Sequence, residues 1–432
     1  MMKTIFLLLI SLFLVTCDRD TTVVDSAVKN SYVGAFVYRN FNDQIRFDIE
    51  QDTAEYRVFF TSLAQNANRI PLQVVTAKGD SLNFTLKSDL YTYIFKNKLS
   101  KDRSLLVGIL AVDTVEASYH LNRWTETTND LPQEEVVTLD SQGINLVGTI
   151  WHPVNRSTKA MVIVTSSGSS GRSATRAEAL FFAQNGYTVF HYDKRGTGNS
   201  QGDWNIATMQ DLLKDDINAI EYFSDRTNIP LSHIGIMGSS QGGAKIPYIL
   251  SEMQQLGYGI AVSCPGSSLL ESDLNYWQNN HKIALGDNLQ QASELQRMVF
   301  EYIAGTTSKV RLESSINANK NASWFNAVWI PNLDEVVIDS KLLFNPLTYF
   351  EKVQQPILIV QGMSDEIIPL DSHRKIRDAL DRAKNGNFEL ILLENTNHTM
   401  QFVGQSDFKY WSRRNPNYLN TLLDWANQND IE

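Results

Sequence analysis

The chain has 432 residues, 43% of them hydrophobic and 20% charged, a globular composition with enough apolar mass for two or three domains. A formal net charge of −10 and the lack of any basic cluster exclude a nucleic-acid-binding surface. Two cysteines, Cys17 and Cys264, exclude a disulfide framework; neither C-x-x-C nor H-E-x-x-H occurs, so no metal site is expected.

Lys3 precedes an apolar run over residues 5–15 that is too short to span a bilayer and reads as the core of a signal peptide covering residues 1–16. Its end, Leu14-Val15-Thr16-Cys17, resembles a bacterial lipoprotein signal. That resemblance implies lipidation of Cys17 and a place in the bacterial cell envelope, held to a membrane by the lipid. Residues 17–30 are polar and read as a tether.

From 31 to 125, β-rich runs recur at short spacing: 32–38, 44–50, 56–61, 72–75, 81–86, 91–95, 105–112 and 117–121. Turn residues such as Asn42-Asp43 and Lys78-Gly79-Asp80 separate them. The period of two predicts a small all-β domain, an antiparallel meander closed into a barrel or half-barrel. It carries no catalytic constellation, and residues 126–133 read as a linker.

From 134 to 432 the pattern changes. Two opening strands in hairpin relation (134–139 and 145–151) are followed by alternating strands and helices, which predicts an α/β unit with a mostly parallel sheet flanked by helices. Residues 266–350 interrupt the alternation and are too long for a plain connection, so they read as a helical cap. Its aromatics, Tyr276, Trp277, Trp324, Phe325 and Trp329, either line an acyl pocket or simply pack. Cys264 follows a buried strand and is expected to be inert.

The chemistry centres on Gly238-Ser239-Ser240-Gln241-Gly242, a G-x-S-x-G between an apolar strand and a helix-forming segment over residues 244–250. A turn tight enough to push the Ser240 hydroxyl into a cleft strains the serine backbone and leaves no room for side chains two positions away on either side. The motif alone arises by chance at roughly 0.1 per chain of this length, and a second copy, Gly198-Asn199-Ser200-Gln201-Gly202, is present. Ser200 lacks the strand–turn–helix setting, which leaves Ser240 as the nucleophile.

A serine nucleophile needs a base, itself oriented by an acid. Of seven histidines, His398 follows an apolar strand (388–393) near the carboxyl end, while His191 lies within a strand and reads as a core residue. Asp365 directly follows the strand at 357–361, with Glu366 or Asp273 as the fallback acid. The order Ser240, Asp365, His398 is that of an α/β-hydrolase triad.

At this point the chain from about 134 onward resembles the α/β-hydrolase superfamily. It is most similar to bacterial serine esterases and acyl-aminopeptidase-like hydrolases that carry an N-terminal β domain. Residues 193–200 match the D-x-R-G-x-G-x-S loop, 362–369 the acid loop G-x-x-D-x-x-x-P, and Asn397-His398 the base. Thr165-Ser166-Ser167-Gly168 stands where relatives have His-Gly-x-Gly or Ser-Gly-Ser-Gly. The resemblance implies that the N–H groups of Ser167 and Gln241 form the oxyanion hole and that Ser200 is structural.

The expected activity is hydrolysis of a small-molecule carboxylic ester through an acyl-enzyme, with no cofactor. Its rivals are an acyl-aminopeptidase or other serine peptidase on the same scaffold, and a non-catalytic lipoprotein that binds a glycan or lipid. A peptidase of the propeller-capped type needs at least four blades, on the order of 160 residues, and residues 31–125 are too few.

Overall fold

The eight β-rich runs near the amino terminus all become strands, because each presents an apolar side chain at every second position. In the computed structural model, which describes residues 28–124, 132–405 and 408–430 apart from 40, 53–54, 63–66, 89–90, 156 and 411–412, they are β1 (Val28–Tyr38), β2 (Phe41–Asp52), β3 (Glu55–Ser62), β4 (Ala67–Lys78), β5 (Ser81–Lys87), β6 (Thr92–Leu99), β7 (Leu105–Val112) and β8 (Val115–Trp124). Each pairs antiparallel with the next and β1 pairs with β8, so the barrel is closed and has no free edge. The expected tether reaches to residue 30, but β1 begins at Val28, where it pairs with Gln51. Cys17 and the signal segment lie outside the described residues, as does most of the expected linker.

The barrel is filled. Phe47 packs its ring against Phe60, Phe84, Phe95 and Tyr119 at centroid separations of 5.2–6.0 Å. The Tyr119 hydroxyl, buried among them, donates to Asn97 Oδ1 at 2.6 Å. An eight-stranded barrel is just wide enough for side chains to occupy its interior, and here aromatic rings do so.

The second unit runs β9 (Gln133–Ser141), β10 (Ile144–His152), β11 (Ala160–Ile163), α1 (Arg176–Gln184), β12 (Thr188–Tyr192), α2 (Met209–Thr227), β13 (Ile234–Ser239), α3 (Gln241–Glu252) and β14 (Tyr258–Val262). The cap follows as α4 (Leu269–Leu285), α5 (Leu289–Ile303) and α6 (Lys309–Asn319), and a short α7 (Leu347–Phe350) leads back to the sheet. The last elements are β15 (Ile357–Gly362), α8 (Ser372–Arg382), β16 (Phe388–Leu393) and α9 (Tyr418–Asn429). The sheet order is β16-β15-β14-β13-β11-β12-β10-β9. β10 pairs antiparallel with both β9 and β12, and all remaining pairs are parallel.

Both faces of this sheet are covered, and β11, β12, β14 and β15 are buried along their whole length. One core layer includes Phe223 of α2, Ile246 of α3 and Ile376 of α8. The opposite layer includes Phe182 of α1 and Trp425 of α9. The cap has its own core, which takes in Trp277 and Trp324 with Phe325 packed against it. Those three aromatics therefore pack rather than face a cleft, while Tyr276 and Trp329 are 44% and 54% exposed. Among the described residues no helix is long and apolar enough to cross a membrane.

The two units are joined by a contact with no signal in the sequence. Between His398 and α9 the chain sends Phe408, 1% exposed, into the barrel core. Its ring lies 4.9 Å from that of Phe36 and 5.5 Å from those of Tyr38 and Phe41. The Tyr93 hydroxyl donates to the Tyr410 carbonyl at 2.6 Å, and the Tyr410 hydroxyl donates to Asp113 Oδ2 at 2.7 Å. Replacing Phe408 by alanine removes a buried ring from a packed core, so Phe408→Ala should cost roughly 3–5 kcal/mol. Denaturant unfolding followed by tyrosine fluorescence checks this, and a loss under 1 kcal/mol would show that the plug is not part of the barrel core.

Candidate active site

Ser240 occupies the sharp turn between β13 and α3 with φ 57° and ψ −121°. A non-glycine residue there is strained by about 1–3 kcal/mol, and the surrounding backbone holds it in place. The Ser240 N–H donates to the Val262 carbonyl of β14 at 2.9 Å. A Cβ on Gly238 would lie 2.5 Å from the backbone of Gly242, and one on Gly242 would lie 3.0 Å from the Thr165 carbonyl. Glycine at both positions is thus a steric requirement of the turn.

The helix starts at Gln241, three residues ahead of the expected 244, because the two glycines are carried into its first turn by packing rather than by propensity. The first N–H groups of a helix have no intrahelical acceptor and sit at the positive end of its dipole. Among the described residues, neither the Gln241 N–H nor the Ser167 N–H donates a backbone hydrogen bond. Ser167 itself is exposed. Ser166, in place of the glycine of relatives, ties this loop to the turn by donating from Oγ to the Ser239 carbonyl at 2.8 Å.

His398 and Asp365 meet as the strand order requires. His398 Nδ1 lies 3.1 and 3.0 Å from the two carboxylate oxygens of Asp365, and the two side chains are 9% and 0% exposed. Asp365 Oδ1 also accepts from the N–H groups of Ile367 and Ile368, both at 2.9 Å, which fixes the carboxylate. The pairing leaves Nε2 as the ring nitrogen free to act on a serine. No hydrogen bond joins Nε2 to Ser240 Oγ among the described residues; in free enzymes such contacts are often long and tighten with substrate.

The fallback acids are not at the imidazole. Glu366 Oε2 accepts from the backbone N–H of His398 at 3.4 Å, and its own carbonyl accepts from Asn279 Nδ2 of the cap at 2.9 Å. Asp273 lies on α4, its carboxyl raised to about 6 by burial and by Asp339. One support of His398 was not legible: buried Ser263, at φ 46°, donates from Oγ to the His398 carbonyl at 2.8 Å. A positive φ directly after a strand leaves no trace in a sequence when the residue is serine.

The remaining expectations resolve as structure. Ser200 Oγ donates to the Asp193 carbonyl at 2.6 Å and accepts from the Val147 N–H at 2.9 Å, so its hydroxyl is spent on bracing the loop. His191 is 1% exposed, held by Trp151 Nε1 at 3.1 Å, and burial, followed by Arg176 and Arg172, pushes its pKa down to about 3. Cys264 is buried and its thiol is raised by desolvation, as befits an inert residue. Among the described residues no cluster of histidine, cysteine and carboxylate side chains has the makings of a metal site.

Behind the turn lies a polar layer. Lys245 of α3 and Asp216 of α2, each 0% exposed in the side chain, pair at 2.5 Å. Asp216 also accepts from the Tyr192 hydroxyl at 2.5 Å and the Thr165 N–H at 3.2 Å, while Lys245 Nζ donates to Thr165 Oγ1 at 2.9 Å. The layer therefore fixes the residue from which the Ser166–Ser167 segment departs.

Several solved structures are similar in fold. A Pyrococcus furiosus esterase is 17% identical, covering 71% of this chain and 95% of its own, with a TM-score of 0.46. A Mycobacterium smegmatis proline iminopeptidase is 17% identical over 68% of this chain and 99% of its own, with a TM-score of 0.45. A Pyrococcus horikoshii acylaminoacyl peptidase is 16% identical over 86% of this chain and 52% of its own, with a TM-score of 0.42. No curated protein sequence matches. The sequence family described as X-Pro dipeptidyl-peptidase (S15 family) matches residues 142–400, which include Ser240, Asp365 and His398. Since that match spans more than half of the chain, the protein belongs to the X-Pro dipeptidyl-peptidase (S15) family and is a serine hydrolase.

Proposed function

We propose that the protein hydrolyses carboxylic esters through an acyl-enzyme on Ser240. One observation carries the reading: a serine at positive φ and two unspent backbone N–H groups stand in the same fold as a buried histidine–aspartate pair. In this mechanism Ser240 Oγ attacks the ester carbonyl carbon while His398 Nε2 takes its proton. Asp365 keeps the imidazole in the tautomer with a proton on Nδ1 and stabilises the imidazolium. The N–H groups of Gln241 and Ser167 bind the oxygen that becomes negative. The C–O bond to the alcohol breaks as His398 returns the proton to the leaving oxygen. Water, deprotonated by the same nitrogen, then releases the acid and restores Ser240.

Ester rather than amide rests on the two accessory units. The N-terminal unit is a filled barrel and not a propeller, and the cap spends Trp277 and Trp324 on its own core. An alkoxide also leaves more readily than an amine, which must be protonated. The second reading, cleavage of a peptide or amino-acyl amide, is favoured by the family match. The reading extends to a lipid anchor on Cys17, supported by the apolar run that precedes it and by Leu14-Val15-Thr16-Cys17.

Three outcomes follow from these roles. A fluorophosphonate probe should label the wild type and Ser200→Ala but not Ser240→Ala, and Asp365→Asn should lower kcat by on the order of 10⁴-fold. Glu366→Gln should cost less than roughly tenfold, because its carboxylate touches only a backbone N–H; equal losses for the two would reopen the choice of acid. On substrates, p-nitrophenyl esters of short to medium acyl chains should exceed aminoacyl and Xaa-Pro anilides in kcat/KM, and the reverse order would establish the peptidase reading. For the anchor, protein made in a Gram-negative host should take up labelled fatty acid, and Cys17→Ser should abolish the uptake. An unlabelled, soluble wild type would remove the anchor from the proposal.

A further inference from the structure

Lys194 is a buried cation without a carboxylate. The residue is 2% exposed, and among the described residues its ammonium forms no ion pair. The acids around it are committed elsewhere: Asp193 to Arg172, Asp215 to Arg195 and Asp216 to Lys245. Instead, Lys194 Nζ donates to the backbone carbonyls of Ser166, at 2.8 Å, and Gly168, while the Trp204 ring covers it at 4.8 Å from the centroid. Desolvating an unpaired ammonium is expensive, so its retention beside a reactive serine calls for a role.

The role follows from the geometry of one amide. The Ser166 carbonyl and the Ser167 N–H belong to the same peptide group, and in a trans peptide the two point in opposite directions. A cation that holds the carbonyl turns the N–H away from itself, in a loop that Ser166 Oγ ties to the Ser239 carbonyl next to Ser240. It also draws electron density toward the carbonyl oxygen and leaves the N–H a stronger donor. We propose that Lys194 is a positioning residue of the oxyanion hole, aiming and polarising the Ser167 N–H through the Ser166 carbonyl. This rests on the reading of Ser240 and Ser167 given above.

The charge of Lys194 is conditional. Burial, and after it the positive charge of Lys245, brings its pKa down to about 8; Asp216 opposes this and Lys341 adds to it. Lys341 is itself bound to the carbonyls of Asn205 and Ala207 and to Asp339 at 2.9 Å. Lysine is charged below its pKa, so the polarised N–H is fully available below about 8 and is lost as the pH rises through that value.

The test is the pH profile of kcat on a p-nitrophenyl ester, corrected for spontaneous hydrolysis. The wild type should lose about tenfold or more between pH 7 and 10, with a midpoint near 8. Lys194→Arg keeps a cation at every pH used and should remove that limb. Lys194→Met should lower kcat by roughly 10- to 100-fold at pH 7, with KM changed less than about threefold and no alkaline limb. A flat wild-type profile overturns the proposal without any variant. So does an alkaline limb that persists in Lys194→Arg, or a Lys194→Met kcat within twofold of wild type. Fluorophosphonate labelling separates the two levels: a wild type that does not label, or a Ser240→Ala that does, sinks the reading of the site, whereas normal labelling with unmoved pH profiles sinks only the role of Lys194.

Discussion

The ion pair between Lys245 and Asp216 is the contact on which the rest of the site depends. Both groups are removed from water, where each alone carries a penalty of several kcal/mol. Asp216 is also the acceptor for Tyr192 at the end of β12 and for the N–H of Thr165 after β11. One carboxylate thus gathers α2, which precedes β13, α3, which follows it, β12 two places away in the sheet and the loop after β11. Removing either partner strands the other charge in the core, so the two have little freedom to vary separately. The turn at Ser240 is strained, and a strained turn persists only where its surroundings are over-determined in this way.

What the sequence made legible follows the range of the interactions involved. The eight barrel strands rest on a period of two and the parallel strands of the second unit on short continuous apolar runs, both of which are local, and all were recoverable. The pairing of His398 with Asp365 was legible because each residue lies past the end of one of two adjacent parallel strands, β15 and β16. Contacts set by the fold as a whole left no pattern. Ser263 supports His398 from a backbone conformation that serine does not advertise. Lys194 lies in a motif whose Asp, Arg and Ser are all structural, and only its two carbonyl partners distinguish it. The start of α3 was misplaced because Gly242 and Gly243 are poor helix formers, and close packing against Thr165 and Val262 excludes anything larger.

The family match and the ester reading meet in the same machinery. An acyl-enzyme forms in the same way from an ester or from an amide; what separates them is the leaving group and the walls that position it. The cap reaches the loop that carries Asp365, since Asn275 and Asn279 of α4 donate to the carbonyls of Ile367 and Glu366. Changes in α4 therefore act on the loop that places Asp365.

The plug formed by Phe408 and Tyr410 has a consequence for how the protein comes into being. Tyr93 and its acceptor Tyr410 are 317 residues apart in the chain. At about 5–20 residues per second, a ribosome needs roughly 15–60 s to travel that distance. Once β8 is made, and for the rest of that interval, the barrel has all eight strands but lacks Phe408, so Phe36 and Phe41 are without the ring that covers them in the folded protein. The segment that ends the wait is the one that follows His398, which makes completion of the barrel and the pairing of His398 with Asp365 late and nearly simultaneous steps in the life of the nascent chain.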